Sequence, residues 1–564
     1  MAILAVIVGL GGGFGAIGFR YLIEFFQSIS YGSVGNLIDA VQSIPWYFRI
    51  GIPAAGGLLV GPLIYFFARE AKGHGVPEVM EAIALRSGII RKRVVFVKSL
   101  ASAICIGTGG SVGREGPIVQ IGSAIGSTIG QELKVSADRI RTLVGCGAAA
   151  GIAATFNAPI AGSMFALEIV LGDFGLATFS PIVISSVAAT AVSRYFLGDA
   201  PAFIVPAYEL ISAWELPLYV ILGLFCALVG VTFTKVLYRV EDMFDDIKFP
   251  EYLKAVLGGL ILGAMALIFP HLLGVGYEAI DLALVQKLSW WLMFLLALCK
   301  ILATSITIGS GGSGGIFAPS LFMGAMAGGF FGTGVNAIFP GMTASPGAYS
   351  IVGMGAVVSA TTHGPLSSIL ILFELTGGYK IILPLMIACI IASLASGQLL
   401  KESIYTLKLA RRGVNIKAGK EVNVLKSISV KDVMNPAVET IPENLSLGKF
   451  VEKISESKYN SFPVVDDESN LTGMLSFLDY HGAVFDENLK DLVVVKDLAT
   501  KEVVTVALDS NLYSALEAIT LKDFSILPVV SPDNPLKLLG VLSRRDIIGA
   551  YDKALIKKSL FEES

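Results

Sequence analysis

The chain has 564 residues, 54% of them hydrophobic and 15% charged, with a formal charge of −3. A soluble protein carries roughly 25% charged residues, so a wholly soluble chain is excluded, and so small a net charge gives no sign of nucleic acid as a partner. The charge is uneven: 42 charged residues lie in the first 400 and 45 in the last 164, which divides the chain near residue 402 into a membrane body and a soluble tail.

The apolar stretch at Met1 runs straight into further membrane segments. It lacks the basic flank and small-residue cleavage site of a signal peptide. Next comes the first of three Gly-rich motifs, Gly73-His74-Gly75-Val76-Pro77-Glu78, followed by the basic cluster Arg91-Lys92-Arg93. The second motif is Gly109-Gly110-Ser111-Val112-Gly113-Arg114-Glu115-Gly116-Pro117. Then Asn157-Ala158-Pro159 leads to Glu168, nine residues after the Pro. Phe174–Ser193 and Pro217–Thr234 are uncharged and long enough to span. Ile301–Phe373 is uncharged throughout, enough for more than one pass. It contains the third motif, Gly311-Gly312-Ser313-Gly314-Gly315-Ile316-Phe317-Ala318-Pro319. His363-Gly364-Pro365 then leads to Glu374, again nine residues after the Pro. Repeated halves with interrupted apolar segments point to a transport protein whose site lies at the repeat interface. The five cysteines sit in apolar segments without metal-ligand spacing and read as small buried hydrophobes. Arg411, Arg412, Lys417, Lys420 and Lys426 follow the last apolar segment, and the positive-inside rule puts the tail in the cytoplasm.

Each Gly-rich motif places Pro at the start of an apolar run. Pro is tolerated in a first helical turn, where its missing N–H would have lacked a partner. The glycines upstream (Gly75, Gly113, Gly116, Gly315) leave backbone amides uncovered, and helix N-termini attract anions. Three such ends can hold a bare anion without a full positive charge, which would bind too tightly for throughput. Arg114 and Glu115 are the only charged residues between Ser99 and Gln131. An ionisable residue in such a setting is expensive and marks function. Ionised, the Glu115 carboxylate would imitate the anion and block its site; protonated or displaced, it would admit the anion.

The tail repeats itself at an offset of 65, which becomes 67 in its last segment. Val430-Lys431-Asp432 recurs as Val495-Lys496-Asp497, and Phe462-Pro463-Val464-Val465 as Leu527-Pro528-Val529-Val530. Gly473 to Asp479 recurs as Gly540 to Asp546. Each unit reads as strand, helix, strand, turn, strand and a helix opened by Ser-x-x-Asp, a capping pattern. This resembles a tandem pair of CBS modules.

The three motifs in this order, the repeated Asn157/His363 turns and the tail are together similar to the CLC family of chloride channels and proton-coupled anion transporters. The resemblance implies an all-α polytopic membrane domain with an inverted repeat, plus a soluble α/β tandem CBS domain. The divisions are 1–410 for the membrane domain, 411–428 for a linker, and 429–485 and 494–552 for the two CBS modules. It implies a homodimer in a lipid bilayer, one pore per subunit, in the inner or plasma membrane. Glu115 matches the gating glutamate, Ile316 and Phe317 the backbone donors to a central anion, and Tyr405 the tyrosine whose hydroxyl contacts that anion. The substrate is chloride; no cofactor is required. CBS pairs commonly bind adenine nucleotides, for which Ser543, Arg544 and Asp546 form the better candidate site and Asp479 the poorer.

Three departures bear on mechanism. His74 stands where chloride-selective members usually have Ser, which leaves the anion preference open. Ile169 stands where many proton-coupled members carry an inner glutamate, with Glu168 beside it as a possible substitute or a structural residue. The family's first cytoplasmic helix is absent. The reading is therefore chloride transport, not enzymatic catalysis, as a proton-coupled antiporter or alternatively as a voltage- or pH-gated passive channel. An intramembrane serine protease built on Ser313 and His363 would not explain Glu115 or the other motifs.

Overall fold

The computed structural model describes residues 1–562 apart from 34, 200–202, 204–207, 209–210, 415–424, 426–427, 456, 458, 485–489, 491 and 523–525. The chain forms two compact units, Met1–Val414 and Asn415–Ser564. Lys417, Lys420, Lys426 and most of the expected linker lie outside the described residues.

The first unit is helical. Its first half runs α1 (Ala2–Tyr31), α2 (Leu37–Ser43), α3 (Trp46–Phe67), α4 (Val76–Leu85), α5 (Arg93–Gly107), α6 (Glu115–Glu132), α7 (Ala137–Phe156), α8 (Pro159–Phe165) and α9 (Leu176–Leu197). The second runs α10 (Leu216–Asp246), α11 (Glu251–Ile268), α12 (Tyr277–Leu284), α13 (Trp290–Gly309), α14 (Phe317–Ile338), α15 (Pro346–Thr362), α16 (Pro365–Thr376), α17 (Ile382–Leu399) and α18 (Thr406–Arg411). Among the described residues, eight helices are long and apolar enough to cross a membrane. The uncharged run 301–373 is divided among α13, α14, α15 and α16.

The halves share their packing. α6 lies along α7 as α14 lies along α15, and α1 packs on α5, α7 and α9 as α10 packs on α13, α15 and α17. α3 with α11, and α8 with α16, join one half to the other. The close approaches are made through glycine: a Cβ on Gly57 or Gly61 of α3 would strike the α11 backbone at Ala255 or Tyr252. Without a hydrophobic drive between helices in lipid, such backbone proximity supplies the dispersion contact that holds them together.

The repeated Asn157 and His363 turns have one geometry. Both residues end their helix in the left-handed conformation, φ 58° and 55°, and a helix-starting Pro follows two residues later. Glu168 and Glu374 then cap each other's helices. Glu168 accepts from the N–H groups of Leu366 (3.1 Å) and Ser367 (2.7 Å) at the start of α16. Glu374 accepts from Ile160 (3.1 Å) and Ala161 (2.7 Å) at the start of α8. Carboxylates on free helix N–H groups are favourable.

In the tail, β1 (Ile441–Pro442), β2 (Ser461–Val465) and β3 (Leu471–Ser476) form one sheet. β4 (Val506–Ala507), β5 (Ile526–Val530) and β6 (Leu538–Ser543) form the other. Both have a parallel and an antiparallel pair, with a register shift at the last Val of the Pro-Val-Val strand. The repeats are not self-contained. Val430 is buried with Leu512, Leu527 and Val529 of the second repeat, and Val495 with Leu447, Phe450 and Phe462 of the first. Each module's opening segment thus completes the other's core.

Candidate functional site

The site is built where the Gly-rich motifs meet. Gly113 and Gly315 exchange backbone hydrogen bonds of 2.7 and 2.6 Å, and Gly73 pairs with the strand-like segment at Ser313. These bonds bring the starts of α4, α6 and α14 to one place in a chain where they lie up to 241 residues apart. Pro77 falls in the first turn of α4; Pro117 and Pro319 fall at the third helical position of α6 and α14. Gly116 makes a close backbone approach: a Cβ there would run into the His74 carbonyl and lie 2.9 Å from Gly315 Cα.

Glu115, His74 and Tyr405 are each 1% exposed, so all three are interior groups. The Glu115 carboxylate bends back over Gly113. A Cβ on Gly113 would strike Glu115 Oε2 and lie 3.2 Å from the Ala318 nitrogen, which puts that oxygen at the first turn of α14. Among the described residues Oε2 has no hydrogen-bond partner; Oε1 accepts from the Tyr277 hydroxyl at 2.6 Å. A carboxylate therefore occupies the helix-start position where a small anion would be stabilised.

The His74 ring lies 5.8 Å from the Tyr405 ring, and among the described residues both His74 nitrogens lack partners. Tyr405 is held by its neighbour Ile404, whose N–H donates to the Thr361 carbonyl and whose carbonyl accepts from the Tyr238 hydroxyl. Phe317, the first residue of α14, packs its ring against Phe156 and Phe165. Arg114 makes no ion pair with Glu115 among the described residues; its guanidinium lies 5.4 Å over the Tyr277 ring.

Two cavities flank the site. One, of about 310 Å³, is lined by Arg20, Arg114, His271, Tyr277 and Glu278. The other, of about 230 Å³, is lined by Glu70, Glu78, Gln120 and Arg412. Arg114, which precedes α6, lines the first cavity, and Gln120, further along α6, lines the second. Near the second cavity, Glu78 pairs with Lys408 at 3.1 Å and Arg412 at 3.4 Å.

The structure thus brings His74, Gly75, Gly113, Arg114, Glu115, Gly116, Gly315, Ile316, Phe317 and Tyr405 into one neighbourhood. Ile169 is buried on a π-helical segment, Ala166–Leu171, beside Gly364. Both Glu168 oxygens are engaged by the α16 start, one of them also by the Ser367 hydroxyl. The Ser313 hydroxyl donates to the Ala71 carbonyl at 2.8 Å and bonds the Ser102 hydroxyl at 2.8 Å. In the tail, Asp479 and Asp546 each accept from the N–H and hydroxyl of Ser476 or Ser543 through one oxygen.

Three residues escaped the sequence reading. Lys98, wholly buried, donates to the carbonyls of Ala71 (3.0 Å) and Gly73 (2.8 Å). Lys300, wholly buried, donates to those of Leu272 (3.1 Å) and Gly274 (3.2 Å). Tyr277 opens α12 after Gly274-Val275-Gly276, a fourth Gly motif that matches Gly73-His74-Gly75 at an offset of 201. Gly75 and Gly276 cap their helices at φ 85° and 90°, a conformation that favours glycine. The offset of 202 between Lys98 and Lys300 was the signal that would have found this copy.

Residues 56–397 match the model of the voltage gated chloride channel family, and residues 430–485 and 495–553 match the CBS domain. A ClcB-like chloride channel protein of Ralstonia nicotianae is 38% identical over 415 residues, covering 73% of this chain and 97% of that protein. The H+/Cl− exchange transporter ClcA of Yersinia pseudotuberculosis is 30% identical over 448 residues, 78% of this chain and 92% of that protein. The crystal structure of a slow cyanobacterial Cl−/H+ antiporter superposes with a TM-score of 0.66 at 29% identity, over 73% of this chain and 97% of that chain.

Proposed function

The chain belongs to the voltage-gated chloride channel (CLC) family of multi-pass membrane proteins, and from that premise we propose that it exchanges chloride for protons through a pathway gated by Glu115. The observation that carries this reading is the Glu115 carboxylate lying over Gly113 at the first turn of α14. Ionised, it takes the anion's place among helix-start amides. Neutralised or swung away, it leaves that place to chloride. A group that must gain a proton to admit an anion supplies the element from which proton coupling is built.

The central anion is held by the backbone N–H groups of Ile316 and Phe317, with Gly75, Gly113, Arg114, Gly116 and Gly315 shaping the surrounding helix starts. His74 and Tyr405 offer side-chain donors from the Glu78 side. A cytoplasmic CBS tail is supported by the Arg91 to Arg93 cluster and the Arg411–Arg412 end through the positive-inside rule. The protein works as a homodimer with a pathway in each subunit, in the inner or plasma membrane. The tail regulates it by binding an adenine nucleotide at Ser543, Arg544 and Asp546, with Asp479 the lesser site.

One observation favours a second reading. Ile169 cannot relay a proton, and Glu168 beside it is spent on capping α16. Under this reading the protein is a passive chloride channel whose gate takes its proton from, and returns it to, one side. The reversal potential of purified protein in liposomes under a pH gradient separates the two. An exchanger's potential is displaced from the chloride Nernst potential; a channel's is not. Glu115→Gln should abolish proton movement while chloride flux continues, and proton pumping by that variant would remove Glu115 from the mechanism.

A further inference from the structure

We propose that Tyr277 is the latch of the gate: a positioning residue whose hydroxyl holds the ionised Glu115 carboxylate in its closed place, so that opening requires this hydrogen bond to be released. The inference rests on Glu115 being the gate.

The bond is 2.6 Å long, in the range of a phenol donating to an ionised carboxylate. Its partner has no freedom to follow a moving gate. The Tyr277 ring is fixed on one side by the Arg114 guanidinium at 5.4 Å and on another by the edge of Phe203 at 5.4 Å. Its backbone is fixed as well. Gly276, just before it, caps α12, and Lys300 binds the Gly274 and Leu272 carbonyls behind it. The backbone that carries the phenol is therefore placed by the second half of the repeat, while Arg114, beside Glu115 in the first half, and Phe203 hold its ring. The other carboxylate oxygen has no partner, so Tyr277 is the one side-chain donor that restrains the gate among the described residues.

The latch also faces the route by which a proton arrives. Tyr277 lines the cavity of about 310 Å³. The charged and titratable groups around it are Arg20 and Glu24 of α1, paired at 2.9 Å; Arg114; His271; and Glu278, whose oxygens accept from Leu37 and Ile38 at the start of α2. Tyr405 and His74 are buried, with their rings 5.8 Å apart. When a hydronium ion from this cavity gives its proton to Glu115, the phenol faces a neutral acid in place of an anion. The charge-assisted part of the bond is lost and the side chain is free to leave.

The test uses the full chain in liposomes, with chloride efflux followed as a function of pH for Tyr277→Phe, Glu115→Gln and the double variant. Phe keeps the ring and removes only the donor. Tyr277→Phe is expected to raise efflux near neutral pH about tenfold, and to move the pH of half-activation upward by about one unit, the equivalent of that tenfold factor. Tyr277→Gln, which restores a donor, should bring the profile part of the way back. Glu115→Gln should give fast efflux independent of pH, unaltered by adding Tyr277→Phe. A Tyr277→Phe profile that superposes on that of the unaltered protein overturns the latch. So does an equal acceleration in the Glu115→Gln background, which would mean a widened pathway. If Glu115→Gln keeps the original pH dependence, the gate reading itself fails and the latch falls with it.

Discussion

Glu115 and Phe317 occupy the same place in two copies of one helix start, 202 positions apart, yet one carries a carboxylate and the other a buried ring. Around them the scaffold is matched. Lys98 and Lys300 each bind two carbonyls of a Gly loop, and Gly75 and Gly276 each cap the helix that follows. The chemistry is not matched: His74 faces Val275 across the repeat, Val76 faces Tyr277, and Gly116 faces Ala318. Duplication thus supplies helix N-termini in pairs, while each titratable function is present once. A pathway with gate on one half and latch on the other has a direction that a symmetric one would lack.

The largest test of this comparison is Gly116→Ala. The second copy carries Ala318 at this place without conflict, but a Cβ on Gly116 would meet the His74 carbonyl and the Gly315 backbone, neither of which can give. A loss of roughly 4 kcal/mol or more is expected, seen as failure to elute as a monodisperse species in detergent. Normal elution would mean that the halves are more alike than their contacts indicate. Next, Lys300→Met should cost roughly 1–3 kcal/mol for each of the Leu272 and Gly274 carbonyls left without a donor. Lys98→Met should cost less, because the Ala71 carbonyl keeps the Ser313 hydroxyl and the Gly73 carbonyl keeps the Gly314 N–H. Thermal unfolding reads this, and equal losses would mean that those remaining donors count for nothing.

His74→Ser sharpens the functional asymmetry. Loss of the imidazole should leave the fold intact and change chloride affinity by about tenfold, the scale of one donor altered at the anion, measured by calorimetric titration of chloride. Unchanged affinity would place the imidazole outside the anion's reach. The smallest effect lies in the tail. Asp546→Ala should cost about 1 kcal/mol of stability and Asp479→Ala less. Ser543 returns a bond from the Asp546 N–H at 3.1 Å, so its capping box is complete. Equal shifts in the tail's unfolding would deny that the second capping box is the stronger.

The sequence by itself determined what local physics controls. Charge density separated membrane body from tail, Gly followed by Pro marked the starts of α4, α6 and α14, and the Ser-x-x-Asp pattern opened a helix in each CBS module. Helix starts obey steric and capping rules acting over a few residues, so they are legible without a partner. The fourth Gly motif was missed because Gly274-Val275-Gly276 has no Pro to mark its helix, and Lys300 read as the edge of an apolar run. Only the tertiary structure decided which starts converge, that Tyr277 reaches Glu115 across 162 positions, and that Val430 and Val495 enter each other's module. Those pairings depend on backbones that approach closely only after the halves have packed, and no window of sequence contains both partners.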